Sequence, residues 1–384
     1  MTTNSRVLII GGTGRIGTCI AEEACLQGYD VNILTRGNIP IHSKDNQYNV
    51  ITGDWKNDLF AKKIFEDYYD VVIDTLIFNV DQLKRDLSIV NNNCKHFYYI
   101  STDSVYARPG IEVREDDSID ETKVLWNYGI NKRKAEKYLL AHRNEYDFMI
   151  TILRPVLTFG DTRIPFGFAA KDEQYYIIKR IKENKPILLM NDGGSKHSIC
   201  HDSLFGKVTV STFHKKSSGI DFIHIANDGS FTFDEIAKSL GNVLGKAPLI
   251  VHIDAEDLSK IDRNLYQEMI YDKIPTFTVD NTKDKLYYQG PEYSLDLLKV
   301  LKSAVLYMEN NPILTNKKDD YDLLCDALIL HNKKKYIKEN PELSNYVNSF
   351  DSDYVKKLKI YYRNKYRLRL KSRVKDFIKK VIGK

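Results

Sequence analysis

Short apolar runs recur along the first part of the chain: "RVLIIG" at 6–11, "DVNILT" at 30–35, "YNVIT" at 48–52, "DVVIDTLIF" at 70–78, "HFYYIS" at 96–101 and "FMITILR" at 148–154. They are nearly continuous rather than alternating, the pattern of strands buried on both faces of a parallel sheet. Between them, "GTCIAEEACLQG" and "NKRKAEKYLLAHR" have helical spacing. The order βαβαβ predicts a doubly wound α/β domain over 1–160, to which later segments are free to return. After Gly160 the pattern loosens into mixed short elements. These predict a smaller lobe over 161–315 that closes over the strand ends, where ligands bind in open α/β folds. From 316 to 384 the chain turns polar and rich in Lys, Asp and Tyr, and reads as a basic helical appendage.

Charge sharpens this division. The chain of 384 residues carries a net +5, yet Val355–Lys384 holds thirteen Lys or Arg against one acid, a balance of +12, so everything before it carries −7. Within this tail Tyr362, Tyr366, Leu370, Val374, Phe377 and Val381 recur at helical steps between basic residues. Such a stripe suits an anionic membrane surface or packing against protein, with nucleic acid the least favoured partner. No stretch approaches the ~20 apolar residues of a membrane span, and "MTTNSRVLII" lacks a signal-peptide layout. A cytoplasmic protein is expected, peripheral at the inner membrane surface if the tail binds lipid. Five scattered cysteines, Cys19, Cys25, Cys94, Cys200 and Cys325, argue for thiols rather than a disulfide framework.

The run "GGTGRIGT" at 11–18 sits between the first strand and the first helix. Gly11, Gly14 and Gly17 suit, in turn, a positive-φ turn, backbone approach to a pyrophosphate and close helix–strand packing. The helix N-terminus supplies amides to phosphates, so a dinucleotide site is predicted here, with Thr13, Arg15 and Ile16 between the glycines. The second strand ends in Thr35-Arg36 where an acid would hold a ribose 2′-hydroxyl. Arg36 there favours a 2′-phosphate, hence NADP over NAD. Asp54 and Trp55, after the third strand, are placed to edge the adenine.

"WNYGINKRKAEKYLL" places Tyr128 four residues before Lys132, one helical turn apart on the same face. A neighbouring ammonium and a cationic nicotinamide favour the phenolate, which makes Tyr128 a workable general base. His197, Cys200, His201 and Asp202 crowd into six residues, but their spacing is poor for zinc and no metal is expected.

These motifs resemble the extended short-chain dehydrogenase/reductase family, the NAD(P)-dependent nucleotide-sugar epimerases and dehydratases, over roughly residues 6–310. "GGTGRIG" is similar to its cofactor fingerprint, "YISTDSVYA" to its active-site strand end, "YGINK" to its Tyr-x-x-x-Lys pair and "ILRPVLTFG" to its Arg-Pro strand. The resemblance implies that Thr102 orients the substrate oxygen, that Tyr128 moves the proton, and that Lys132 holds the nicotinamide ribose. It implies that Val156 borders the nicotinamide, that Ser104 adjoins the substrate, and that Lys196 stands where the family places an Arg against the nucleotide diphosphate. Asp103 would be the acid of a 4,6-dehydratase, but Ser104 stands where those enzymes carry a glutamate base. The implied reaction is epimerisation or oxidation of a nucleotide-linked sugar through a keto intermediate, in a homodimer formed by the helices flanking Tyr128. A sugar reductase or a dehydratase is the alternative within the same chemistry, and an RNA-binding or cofactor-sensing protein the alternative outside it. Leu76, in place of the usual small residue after the fourth strand, is expected to crowd the cofactor edge.

Overall fold

The computed structural model describes residues 5–38, 48–168, 174–215, 219–311 and 320–382, with side chains described as far as residue 367. The chain divides into two compact units. The first comprises residues 1–160, 198–230 and 277–295.

The first unit is built on a seven-stranded sheet of β1 (Arg6–Ile10), β2 (Asp30–Thr35), β3 (Asn49–Thr52), β4 (Tyr69–Asp74), β5 (Cys94–Ile100), β6 (Met149–Pro155) and β7 (Ile220–Ile225). Their order is β7-β6-β5-β4-β1-β2-β3, and every pairing is parallel. Alternate side chains go to opposite faces, as the two-residue strand period requires. Val7, Ile9, Val31 and Ile33 enter one core with Leu204, Phe205 and Val208, while Leu8, Ile10, Leu34 and Val72 enter the other with Leu83, Ala135 and Leu139. The central strands are therefore largely apolar because both of their faces are covered, whereas the edge strand β3 is mostly exposed. Helix α1 (Arg15–Leu26) offers the small residues Gly17, Ala21 and Ala24 to the first core. A side chain at Gly206 would meet the Cys19 carbonyl at 2.5 Å, which shows how closely the helix Asp202–Ser211 approaches α1. Helices α2 (Asp58–Ile64), α3 (Val80–Val90) and α4 (Asn127–Ala141) belong to the opposite face. Strand order reverses at β1, and the crevice at such a switch point is where this fold class binds ligands.

The second unit comprises residues 161–197, 231–276 and 296–384. The later segments that were free to return to the first domain are residues 198–230 and 277–295. The lobe placed at 161–315 is interrupted by two segments that return to the sheet unit, since Ile220–Ile225 completes the sheet as its edge strand. The appendage placed at 316–384 is also not separate from that lobe. Buried Arg180, on α5 (Gln174–Lys182), donates to Asp322 and Asp326 of the helix Asp320–His331 at 2.8 Å each. The terminal helix Ser352–Ile382 packs on Asp320–His331 through sealed Leu358, and Tyr362 stacks on His331 at 4.1 Å. The stripe expected at Leu370, Val374, Phe377 and Val381 lies outside the described side chains. Among the described residues no helix is long and apolar enough to cross a membrane.

Candidate active site

Gly11 continues β1 at φ +81°, where a Cβ would lie 2.3 Å from Thr75 Oγ1, so only glycine fits. A Cβ at Gly17 would come within 2.7 Å of Gly12 Cα, so this glycine sets how closely α1 packs on the turn. Gly14 differs from both: it caps α1 in an extended conformation, makes no side-chain cap, and a Cβ there would meet only the Gly11 carbonyl at 3.5 Å. The first-turn amides of a helix have no intrahelical acceptor. An open, uncapped helix start is a cradle for an anion, and these residues fit a dinucleotide pyrophosphate.

Around this cradle, Thr13 Oγ1 meets Thr35 Oγ1 at 3.3 Å, and Ile16 packs against the core. Arg15 turns aside to donate to the Thr158 carbonyl at 2.9 Å. Arg36 is exposed after β2, as is Asp54 after β3. Leu76, 37% exposed, lies against Gly11, its Cδ2 2.9 Å from where a Cβ would be. Trp55 corrects the reading of its side chain as an adenine edge. Its ring is buried between Phe65 and the Arg85 guanidinium, which also donates to the Trp55 carbonyl at 2.5 Å. The backbone of that turn and the exposed Asp54 remain for an adenine.

Helix α4 brings Tyr128 and Lys132 to the ends of β4 and β5. A Cβ at Gly129 would lie 2.1 Å from the Ser104 carbonyl, so the glycine of "YGINK" lets α4 press against the 102–105 turn. Lys132 is 2% exposed; its Nζ donates to the carbonyls of Ile77 at 2.5 Å and Ile100 at 2.6 Å. An ammonium has three N–H groups, so one remains for a further acceptor. The Nζ lies 5.8 Å from the centre of the half-buried Tyr128 ring, which leans on Trp126. Burial pushes the lysine down to about 7, against the opposing charges of Asp74 and Glu136.

After β5, Thr102 Oγ1 donates to Asp103 Oδ1 at 3.2 Å, lies 3.2 Å from Ser104 Oγ and accepts from the Ser104 amide at 3.2 Å. Val156 is buried in the core beside these strand ends. Lys196 falls in the second unit, exposed, with its amide on Thr276 Oγ1 at 3.2 Å. The histidine cluster is divided. His197 belongs to the second unit, on the Lys273 carbonyl at 2.9 Å, whereas Cys200, His201 and Asp202 belong to the first. Among the described residues no group of three or more His, Cys, Asp or Glu converges as a metal set.

Two sets of residues were missed from the sequence. Glu136, one turn beyond Lys132 and sealed from water, accepts both Nε and Nη2 of Arg154 at 2.9 Å, and Ser101 Oγ at 2.6 Å. Arg154 Nη1 donates to the Tyr106 hydroxyl at 2.5 Å, which also meets His224 Nε2 at 2.8 Å. This network bolts α4 to β5 and β6 and so fixes the height of Lys132. The Arg-Pro motif was its visible trace. The second set centres on Arg108, which pairs with Asp103 Oδ2 at 3.1 Å.

Residues 7–201, which include the glycine turn, Thr102 and the Tyr128–Lys132 pair, match the family model described as the NAD dependent epimerase/dehydratase family. The chain belongs to that family. Its curated relatives include the UDP-N-acetyl-alpha-D-glucosaminuronate decarboxylase of Bacillus cytotoxicus, 24% identical over 278 residues, spanning 65% of this chain and 84% of that one. Another is the chloroplast stem-loop binding protein of 41 kDa b of Arabidopsis thaliana, 22% identical over 271 residues, spanning 67% of this chain and 68% of the relative. Among solved structures, the UDP-glucose 4-epimerase of Bifidobacterium longum in complex with NAD+ and UDP aligns with a TM-score of 0.63 at 17% identity, covering 80% of this chain and 99% of that one. The epimerase/dehydratase family assignment agrees with the seven-stranded parallel sheet and with the motifs that carry the resemblance.

Proposed function

We propose that this protein is an NAD(P)-dependent enzyme that oxidises, and then re-reduces, a carbon of a nucleotide-linked sugar, making it an epimerase or an oxidoreductase with Tyr128 as general base. The observation that carries the reading is the placement of Lys132. It is buried at the carboxyl ends of β4 and β5 with two carbonyls on its ammonium and Tyr128 one turn away on the same helix. A cation held there favours the phenolate, and a phenolate can take the proton of a substrate hydroxyl. The nicotinamide, when bound, supplies the hydride acceptor and donor. The first-turn amides of α1 and the Gly14 opening would hold the pyrophosphate, and the remaining Lys132 N–H a ribose hydroxyl. Exposed Arg36, with Thr35 where an acid would stand, suits a 2′-phosphate.

Thr102 would orient the reacting oxygen. Asp103 accepts from Thr102, Ser104 and Arg108, and Ser104 offers no carboxylate base for an elimination. The relatives' names support a nucleotide-linked sugar as substrate class, including the uronate of the decarboxylase and the UDP-glucose of the epimerase. The family resemblance supports a homodimer through the helices flanking Tyr128.

The test is turnover of a panel of nucleotide sugars with NAD and with NADP, following sugar products and reduced-cofactor absorbance together. A 4-epimer without accumulated reduced cofactor identifies an epimerase; stoichiometric reduced cofactor identifies a dehydrogenase. Silence across the panel overturns the reading. A second reading rests on the stem-loop binding relative and the +12 tail: an RNA-binding member of the same fold. It requires salt-dependent RNA affinity that is lost on removing residues 355–384.

A further inference from the structure

Arg108 adopts φ +52°, in the left-handed region that non-glycine residues rarely occupy, and its side chain is only 7% exposed. Its guanidinium lies 3.9 Å from the centre of the Phe277 ring, on the second segment that returns to the sheet unit. Nη1 donates to Asp103 Oδ2 at 3.1 Å and Nη2 to Ser104 Oγ at 3.4 Å. The other carboxylate oxygen, Oδ1, accepts from the hydroxyls of Thr102 at 3.2 Å and Ser104 at 3.4 Å. The Arg108 guanidinium and the hydroxyls of Thr102 and Ser104 thus converge on the Asp103 carboxylate.

We propose that Arg108 is a positioning residue: held by Phe277, it fixes Asp103 as a hydrogen-bond acceptor, and Asp103 in turn fixes the hydroxyl of Thr102 that addresses the substrate. This rests on the functional reading above, and it narrows it. An Asp103 engaged by three donors is given to orienting Thr102, a role that serves reactions in which the sugar keeps its hydroxyl groups. The left-handed backbone brings a side chain from a tight turn back over the strand end. Phe277 removes the guanidinium from water, where a fixed planar fork pairs better than a mobile ammonium.

The test is a double-mutant cycle on the full chain. Arg108→Met is expected to lower kcat by about 10²-fold, the cost of displacing a reacting group by an ångström or so. The KM for the nucleotide sugar and the affinity for NAD should be unchanged, and Arg108→Lys should recover part of kcat. Asp103→Asn should lower kcat similarly, and the double variant should be no worse than the worse single one, because Arg108 acts through Asp103. Losses that multiply, or an Arg108→Met variant with parental kcat, overturn the proposal. Crystal structures of the parent and Arg108→Met supply a readout independent of turnover. The Thr102–Asp103 hydrogen bond should be present in the first and broken in the second, and its persistence in both overturns the proposal. Should the parent turn over no nucleotide sugar, the functional reading falls, while the crystal structures still decide the role of Arg108.

Discussion

Arg154 and Arg180 are both sealed from water and both engage carboxylates at hydrogen-bonding distance, one in each compact unit. Arg154 grips Glu136 with two nitrogens and so holds the helix that carries Tyr128 and Lys132. Arg180 divides its nitrogens between Asp322, Asp326 and the Pro186 carbonyl, and Asp326 also accepts from the hydroxyls of Tyr346 and Tyr354. The second network clamps the C-terminal helices onto α5. Buried ion pairs thus serve an active site in one place and architecture in the other, and burial of charge by itself marks neither. What separates them is the neighbour: Glu136 lies one turn from a lysine at the ends of the sheet strands, whereas the carboxylate partners of Arg180 lead, among the described residues, to tyrosines and to Lys185.

That contrast is tested first by removing each arginine. Arg154→Met and Arg180→Met should each destabilise by about 3–5 kcal/mol in denaturant unfolding, the usual consequence of leaving a buried carboxylate without its partner. Only Arg154→Met should also depress kcat. A comparable loss of kcat in Arg180→Met would erase the distinction between the two networks. Gly17→Ala sharpens the comparison within the first unit. Its methyl would lie 2.7 Å from Gly12 Cα, so helix and turn must part, destabilising the fold by about 1–3 kcal/mol. NAD affinity, measured by calorimetry, should fall with it.

The smallest effect concerns Lys132, whose ammonium burial holds at about 7 in the folded protein. An unfolded lysine stays protonated to about 10.4, so between these values the unfolded chain binds more protons and stability rises with pH. Below about 7 the cost of burying the charge is fully present. Lys132→Met should therefore gain most over the parent near pH 6, and the gain should shrink steadily towards pH 10. A gain independent of pH would mean that the lysine is not buried as a cation.

The parts of the site that could be read in the sequence are those set by short-range spacing. The glycine turn depends on three positions within one strand–helix junction, and Tyr128 and Lys132 share a face because they are one turn apart. Arg108 left no such trace: its ring partner, Phe277, arrives from a late segment, and its left-handed backbone is unusual for arginine. Trp55 has the right place in the chain for an adenine contact but the wrong direction, because Arg85 and Phe65 draw its ring inward. Which later segments return to the sheet was hidden for a similar reason. Ile220–Ile225 looks like any apolar strand, and only pairing with Met149–Pro155 assigns it to the sheet. In the tail, helical spacing was readable but not its partner. His331 and the helix around it cover Tyr362 at the near end of the stripe.

The central claim is that a phenol beside a buried ammonium moves the proton while hydride leaves a sugar carbon. It is tested most directly by comparing Tyr128→Phe with the parent, both loaded with cofactor, on whichever nucleotide sugar the parent converts. The account predicts that kcat falls by about 10²–10⁴-fold, the contribution of a positioned proton-transfer group, with cofactor affinity retained. Parental turnover by the phenylalanine variant would contradict it.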